Sequence, residues 1–250
     1  MDDSEGLSDE DTEREKEAQI EIQTPTNWAF FIKWFVLTTL ATVVIAAIMM
    51  PSIKKSGKKM EMTQAVSNSK QIYLVLMDFE SDMGYFPDDA SAAKKPVLSS
   101  FHGNSSNDYL GQLLEGGYTK SEEIFFAYDK RFKNEKPDDV IFPPSRILEQ
   151  HECGFAYVMV EDKGTRRGLS TSDPGSLPIL LTPLVNEWGS MDMKSHKGRR
   201  VHLRVDGSAR SDLLDPIDHK IHLREGGTLL ESGPSTMWAN LKPVVLLPDR

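Results

Sequence analysis

Residues Trp28 to Met50 read WAFFIKWFVLTTLATVVIAAIMM, are closed by Pro51, and precede a helical pattern from Lys54 to Met83. Lys33 is the only charge in the run, and from Trp34 to Met50 there is none. That leaves about 17 uncharged residues, or roughly 25 Å of helix, the short end of what spans a bilayer. Lys33 lies one turn inside the edge, where its long stem lets the ammonium snorkel to water, and the rings of Trp28 and Trp34 suit the headgroup layer. A cleaved signal peptide would have a shorter apolar core, a basic start and a small-residue exit. Here an acidic tail precedes the run, and Ile48, Met49, Met50 and Pro51 end it. A buried core helix would leave a polar stripe, whereas apolar residues occupy every face of this segment. The expectation is a transmembrane anchor over residues 27–51.

Upstream, Asp2, Asp3, Glu5, Asp9, Glu10, Asp11, Glu13, Glu15, Glu17 and Glu21 concentrate the net charge of -9 before the span. Such a segment buries almost nothing, so residues 1–26 read as a disordered acidic tail, with Thr24, Pro25, Thr26 and Asn27 as the turn and cap that start the anchor. The remaining chain is close to neutral with its charges interspersed, which gives no electrostatic footprint for nucleic acid.

Downstream, Ile72, Leu76, Phe79 and Met83 recur at helical spacing with Ala65, Val66, Ser69, Tyr73 and Val75 beside them, predicting a helix over 54–83 whose apolar face packs on a sheet. Lys58, Glu61, Gln64, Asn68, Lys70, Gln71, Asp78 and Ser81 form the other side, facing solvent or a partner helix. Gly84 and Pro87 end the helix. Residues 84–150 read as irregular αβ structure. Within them are a weak helix at Ala90–Lys94, a helix Asp108–Leu114 capped by Ser106 or Asn107, a short turn at Glu122–Phe126 and a surface loop over Asp129–Pro144.

The last hundred or so residues read as strands, so residues 151–250 are assigned to an antiparallel sheet. Phe155–Val160, Pro178–Thr182, Val201–Val205 and Ala209–Leu213 are the clearest, and Ile221–Leu223 suggests an edge strand. Asp206-Gly207 predicts a two-residue hairpin with positive φ at both positions. Val201, Leu203 and Val205 alternate with His202 and Arg204, predicting one buried and one wet face. Prolines at 234, 243 and 248 interrupt the apolar run Val244–Leu247. The fold class is therefore α+β: an N-terminal transmembrane helix continuing into a long helix that packs on a small antiparallel β-sheet, with 52–250 as one domain.

The stretch Ala41–Asp89 resembles the type IV pilin and type II secretion pseudopilin superfamily. Pro51, Lys54 and Lys55 after the span, Asn68, Lys70, Gln71 and Ile72 within the helix, and Gly84, Tyr85, Phe86 and Pro87 at its end carry the likeness. The Arg204-Val205-Asp206-Gly207-Ser208 hairpin resembles the one near the end of such proteins. The resemblance implies a pilin-like fold and a bacterial structural or accessory role in a pilus or type II secretion-like assembly. It implies lateral packing through Val36, Val43, Val66, Ile72, Leu76 and Phe79. Family members are cut between Gly and Phe, shortly before a Glu. Counting back from Pro51, the cut falls between Ala29 and Phe30 and the Glu position holds Trp34, so the processing site is degenerate and the tail is expected to stay attached.

The resemblance also implies a single-pass inner-membrane protein with a cytoplasmic tail and a periplasmic or extracellular domain. The basic residues argue the opposite, because Lys54, Lys55, Lys58 and Lys59 outweigh Arg14, Lys16 and Lys33. Expected partners are membrane lipid, other copies or other pilin-like subunits, and a cytoplasmic partner for the tail. The alternative is a single-pass binding or receptor protein.

No catalytic, cofactor or metal site is expected. Cys153 is the only cysteine, which excludes an internal disulfide, and reads as a small buried hydrophobe. His102, His151, His196, His202, His219 and His222 show no ligand spacing. Strand geometry would put His219 and His222 on opposite faces. Acidic groups at Asp82, Asp88 and Asp89, and at Asp212, Asp215 and Asp218, offer oxygen donors for calcium but read first as solvated loops. Gly168–Gly175 reads as a hairpin connection, and Asn104-Ser105-Ser106 is a short sequon.

Overall fold

The computed structural model describes residues 28–129, 134–162, 164–182, 198–224, 226–239 and 241–249, with positions 184, 186, 190, 191 and 193, and the side chains of all but 48–58 and 162 among these. The acidic tail, the capping role of Asn27 and His196 lie outside the described residues. The chain forms two compact units, Met1–Lys54 and Lys55–Arg250. Helix α1 (Trp28–Met83) begins in the first and ends in the second. Pro51, read as the close of the anchor, lies inside it, because its fixed φ is helical and it costs only one backbone donor.

In the first unit, Trp28–Ala47 is a 20-residue apolar helix with none of its residues buried among the described residues, long enough to cross a membrane. Its threonines satisfy themselves within the helix: Thr38 donates to Trp34 O at 2.9 Å, Thr39 to Phe35 O at 2.8 Å and Thr42 to Thr38 O at 2.8 Å. No hydroxyl there depends on water.

The second unit is α+β. Ile72, Leu76 and Phe79 of α1 are fully buried, each contributing about 1.5–3 kcal/mol of apolar burial. Tyr73 donates to Val205 O at 2.9 Å, linking the same helix to the sheet's hairpin. Asn68, expected on the polar side, is instead 6% exposed. Its amide donates to Glu123 O at 3.0 Å and Phe126 O at 2.8 Å, so the irregular segment covers a face that periodicity alone assigns to solvent. The helix ends at Met83, and Gly84 takes φ 94 while donating to Glu80 O at 2.7 Å.

Two short helices follow, α2 (Asp89–Lys94) and α3 (Ser106–Glu115). Asp88 and Ser91 make a capping box on α2, and Ser105 with Asp108 makes one on α3. The cap of α3 is thus Ser105, one residue before the expected Ser106, which is inside the helix and donates to Phe155 O at 2.7 Å.

Among the described residues six antiparallel strands make the sheet: β1 (Ala156–Asp162), β2 (Thr165–Arg167), β3 (Pro178–Leu181), β4 (Arg199–Arg204), β5 (Ala209–Leu213) and β6 (Lys242–Leu246). β6 takes one edge of β1, pairing Tyr157 with Leu246 through Glu161 with Lys242. β3 and β2 share the other edge, at Tyr157 and at Val160 respectively. The 168–175 segment therefore links two strands that pair with β1 rather than with each other, and is not a hairpin connection.

The β4–β5 turn also differs from expectation. Only Gly207 has positive φ, 75, and Gly207 N donates to Arg204 O while Arg204 N donates to Ser208 O. The loop is Val205-Asp206-Gly207, a three-residue turn with the glycine in the left-handed position, and Asp206 accepts from Ser208 N at 2.9 Å. Nor is β4 wet on one face: Arg200 is 1% and His202 0% exposed. Ile221–Leu223 forms only an isolated bridge, His222 with Thr228, in place of an edge strand.

Candidate functional site

The positions tied to processing and lateral packing fall into two groups. Ala29, Phe30, Trp34, Val36 and Val43 lie on the apolar helix with their side chains outward, Val36 at 58% and Val43 at 59% exposure. Val66 is half-buried in the second unit. Ile72, Leu76 and Phe79 are enclosed in that unit's core, with Phe79 against Tyr118 at 5.0 Å between ring centroids. On the same helix within the second unit Lys70, Gln71, Leu74 and Met77 are exposed.

The acidic candidates do not form the groups that their order in the chain suggests. Asp82 accepts from Tyr118 at 2.8 Å, Asp88 caps α2, and Asp89 accepts from Tyr109 at 2.6 Å. Burial first, and then the bond to Asp89, pushes the Tyr109 hydroxyl well above its usual range. Asp212 leaves the second group to face His202, Oδ2 to Nδ1 at 3.6 Å.

Asp215 and Asp218 do converge, with His222 rather than His219. Loop bonds already engage them: Asp215 accepts from Ile217 N at 2.7 Å and Asp218 from Lys220 N at 3.0 Å, while His222 Nε2 lies 2.8 Å from Asp218 Oδ2. Desolvation is the largest single effect on the Asp218 carboxyl and pushes it up, but the bonds to Lys220 N and His222 together with their charges outweigh it and hold the group below its usual range.

A third convergence joins Glu122, Asp138 and Glu152, whose carboxylate oxygens come within 4.8 Å of one another. Sequence reading missed it because the three residues are spread over 30 positions with no motif spacing. Glu122 opens the turn Glu123–Phe125, Asp138 sits in the following loop, and Glu152 precedes β1. Desolvation, with Glu152, Asp138 and Asp139 adding repulsion, raises the Glu122 carboxyl to about 7 against a lowering bond from Leu148 N. Glu152 is raised as well, again chiefly by burial.

Cys153 is 1% exposed, and burial lifts its thiol to about 11 despite contacts with Phe155 O at 3.4 Å and Ser106 Oγ at 3.7 Å. It is a packed thiol and not a nucleophile at neutral pH. Gly168–Gly175 is fastened to the helix, with Thr171 N donating to Glu80 Oε1 at 2.7 Å and Arg167 paired to Asp173 at 2.7 Å. Asn104 of the sequon is exposed and accepts from Arg166 at 3.3 Å. Open clefts lie beside β6, lined by Lys220, Thr228 and Val244, and beside β5, lined by Arg204, Arg210 and Arg224.

No family model, curated protein or solved structure matches the chain.

Proposed function

We propose that this chain is a pilin-like structural or accessory subunit, anchored in the inner membrane of a bacterium by Trp28–Ala47 and working in a pilus- or type II secretion-like assembly without a catalytic step of its own. The observation that supports this most is the apolar helix itself. All of its large side chains are exposed among the described residues, which suits a helix covered by lipid or by other helices. The second support is the domain's helix, which commits one face to an antiparallel sheet and leaves Lys70, Gln71, Leu74 and Met77 open to a neighbour.

In this reading the tail stays cytoplasmic and attached, since Ala29, just before Phe30, and Trp34 stand where a Gly and a Glu would direct cleavage and assembly. The domain lies on the far side. The partners are lipid, further copies or related subunits, and a cytoplasmic protein recognising the acidic tail.

Cysteines placed at Val36, Val43 and Val66 in a Cys153→Ser background test it. Crosslinked ladders in membranes are expected, together with co-purifying pilin-like subunits. Monomers throughout, or partners that are only soluble cytoplasmic proteins, would replace the proposal with a single-pass receptor. Intact mass gives the processing arm: a species beginning at Phe30 rules out a retained tail. Protease treatment of spheroplasts gives the orientation, where protection of the domain would place it in the cytoplasm.

A further inference from the structure

Glu122 is fully buried, yet only one of its carboxylate oxygens is satisfied among the described residues. Oε1 accepts from Leu148 N at 2.7 Å, and Oε2 is buried with no hydrogen-bond partner. Glu152, 7% exposed, brings a second carboxylate to the same place, with one oxygen taken by Glu149 N at 2.7 Å. Asp138 brings a third from the solvent side.

Among the described residues the nearby cations leave the two buried carboxylates unpaired: Arg146 pairs with the exposed Asp138 at 2.5 Å and with Glu149 at 3.1 Å, and Lys136 with Glu123 at 2.8 Å. Among the described residues no Lys or Arg pairs with Glu122 or Glu152. Buried carboxylates side by side without a counter-charge are among the costliest arrangements a fold can hold.

We propose that Glu122, Asp138 and Glu152 form a site for a hard divalent cation of the calcium type. The donors offered are all oxygens, with neither thiolate nor imidazole in the group, which favours calcium-like ions over zinc or copper. The free Glu122 oxygen and Glu152 supply the inner ligands, and exposed Asp138 closes the site with water filling the remaining positions. The cation fastens the loop carrying Asp138 and the segment before β1 to the turn at Glu123–Phe125. That turn holds Asn68 of α1 through Glu123 O and Phe126 O, so the ion tightens the seat of the helix as well as the loop. Asp215, Asp218 and His222 do not compete for this role, because among the described residues none of them holds a buried side-chain atom without a hydrogen-bond partner, as Glu122 does.

The full-length protein in detergent, stripped with chelator, is titrated with calcium chloride, and separately with magnesium and manganese, while binding heat and thermal melting are followed. Expected are saturable calcium binding at about 10⁻⁵–10⁻³ M and a rise of several degrees in melting temperature. Glu122→Gln keeps an acceptor for Leu148 N and should melt at or above the chelated wild type with no calcium response. Asp218→Asn should respond as wild type does. Should Glu122→Gln not fold, exposed Asp138→Asn carries the test, with weakened binding expected and unchanged binding contradicting the site. The proposal is overturned by a wild type indifferent to all three cations at roughly 10 mM, well above such a site's range. A calcium response that survives Glu122→Gln, or is lost in Asp218→Asn, overturns it too.

Discussion

Arg200 Nη1 stands 2.9 Å from Asp129 Oδ2 with neither side chain exposed to solvent. The pair ties β4 to the end of the segment that follows the Glu123–Phe125 turn. Removing one partner takes a buried counter-charge from the other, so Arg200→Ala or Asp129→Ala should cost about 3–5 kcal/mol in urea unfolding. The double change Arg200→Met with Asp129→Leu should recover most of that. A double variant as unstable as the singles would mean that the pair's geometry, and not its charge, holds β4.

His202 ties stability to acidity. Burial pulls its imidazole from the usual 6.5 down to about 4; Asp212 and Asp206 oppose this, and Arg204 and Arg210 add to it. The unfolded chain therefore takes a proton near pH 6.5 while the folded one refuses it until near 4. Stability from this group is whole above 6.5 and falls as pH drops toward 4, by up to roughly 3 kcal/mol. His202→Gln should flatten that part of the stability–pH curve measured by denaturant titration.

Asn68 holds two carbonyls with one amide. Asn68→Ala should destabilise the domain by about 2 kcal/mol, leaving both acceptors short of a donor. Asn68→Asp should be worse, since a carboxylate would face those same carbonyls. Paired thermal melts of the two variants would give the order, and an equal loss would show that packing alone matters there.

Cys153 should resist alkylation. With its thiol raised to about 11 and its side chain enclosed, iodoacetamide at pH 8 should label it only at the rate of global opening, and fully in denaturant. Mass spectrometry over a time course reads this directly. Rapid native labelling would mean that the strand before β1 frays.

The apolar helix and the Ala209–Leu213 strand are legible in the sequence because their signals are local: an unbroken apolar run and an Asp-Gly turn between two strand patterns. Ile72, Leu76 and Phe79 are legible as inward-facing for the same reason. Arg200 and His202 are not. Alternation marks His202 as wet, and Arg200, ahead of the run Val201–Val205, is paired with Asp129, 71 residues away along the chain. Asn68 is misread likewise, its partners lying 55 and 58 residues on. β6 is hidden by Pro243, which pairs with Val160 and needs no donor there, so a residue that argues against a strand sits inside one. The Glu122 cluster has no linear signature, because three unrelated segments supply it.

The pairing of β1 with β6 sets a timetable. Tyr157 to Glu161 wait for Lys242 to Leu246, about eighty residues later, to complete one edge of the sheet. A chain emerging residue by residue, from a ribosome or through a membrane pore, reaches this point with its helix, α3 and hairpin already out and its central strand still half-bare. The domain stays threadable until almost all of it has passed, and only then closes.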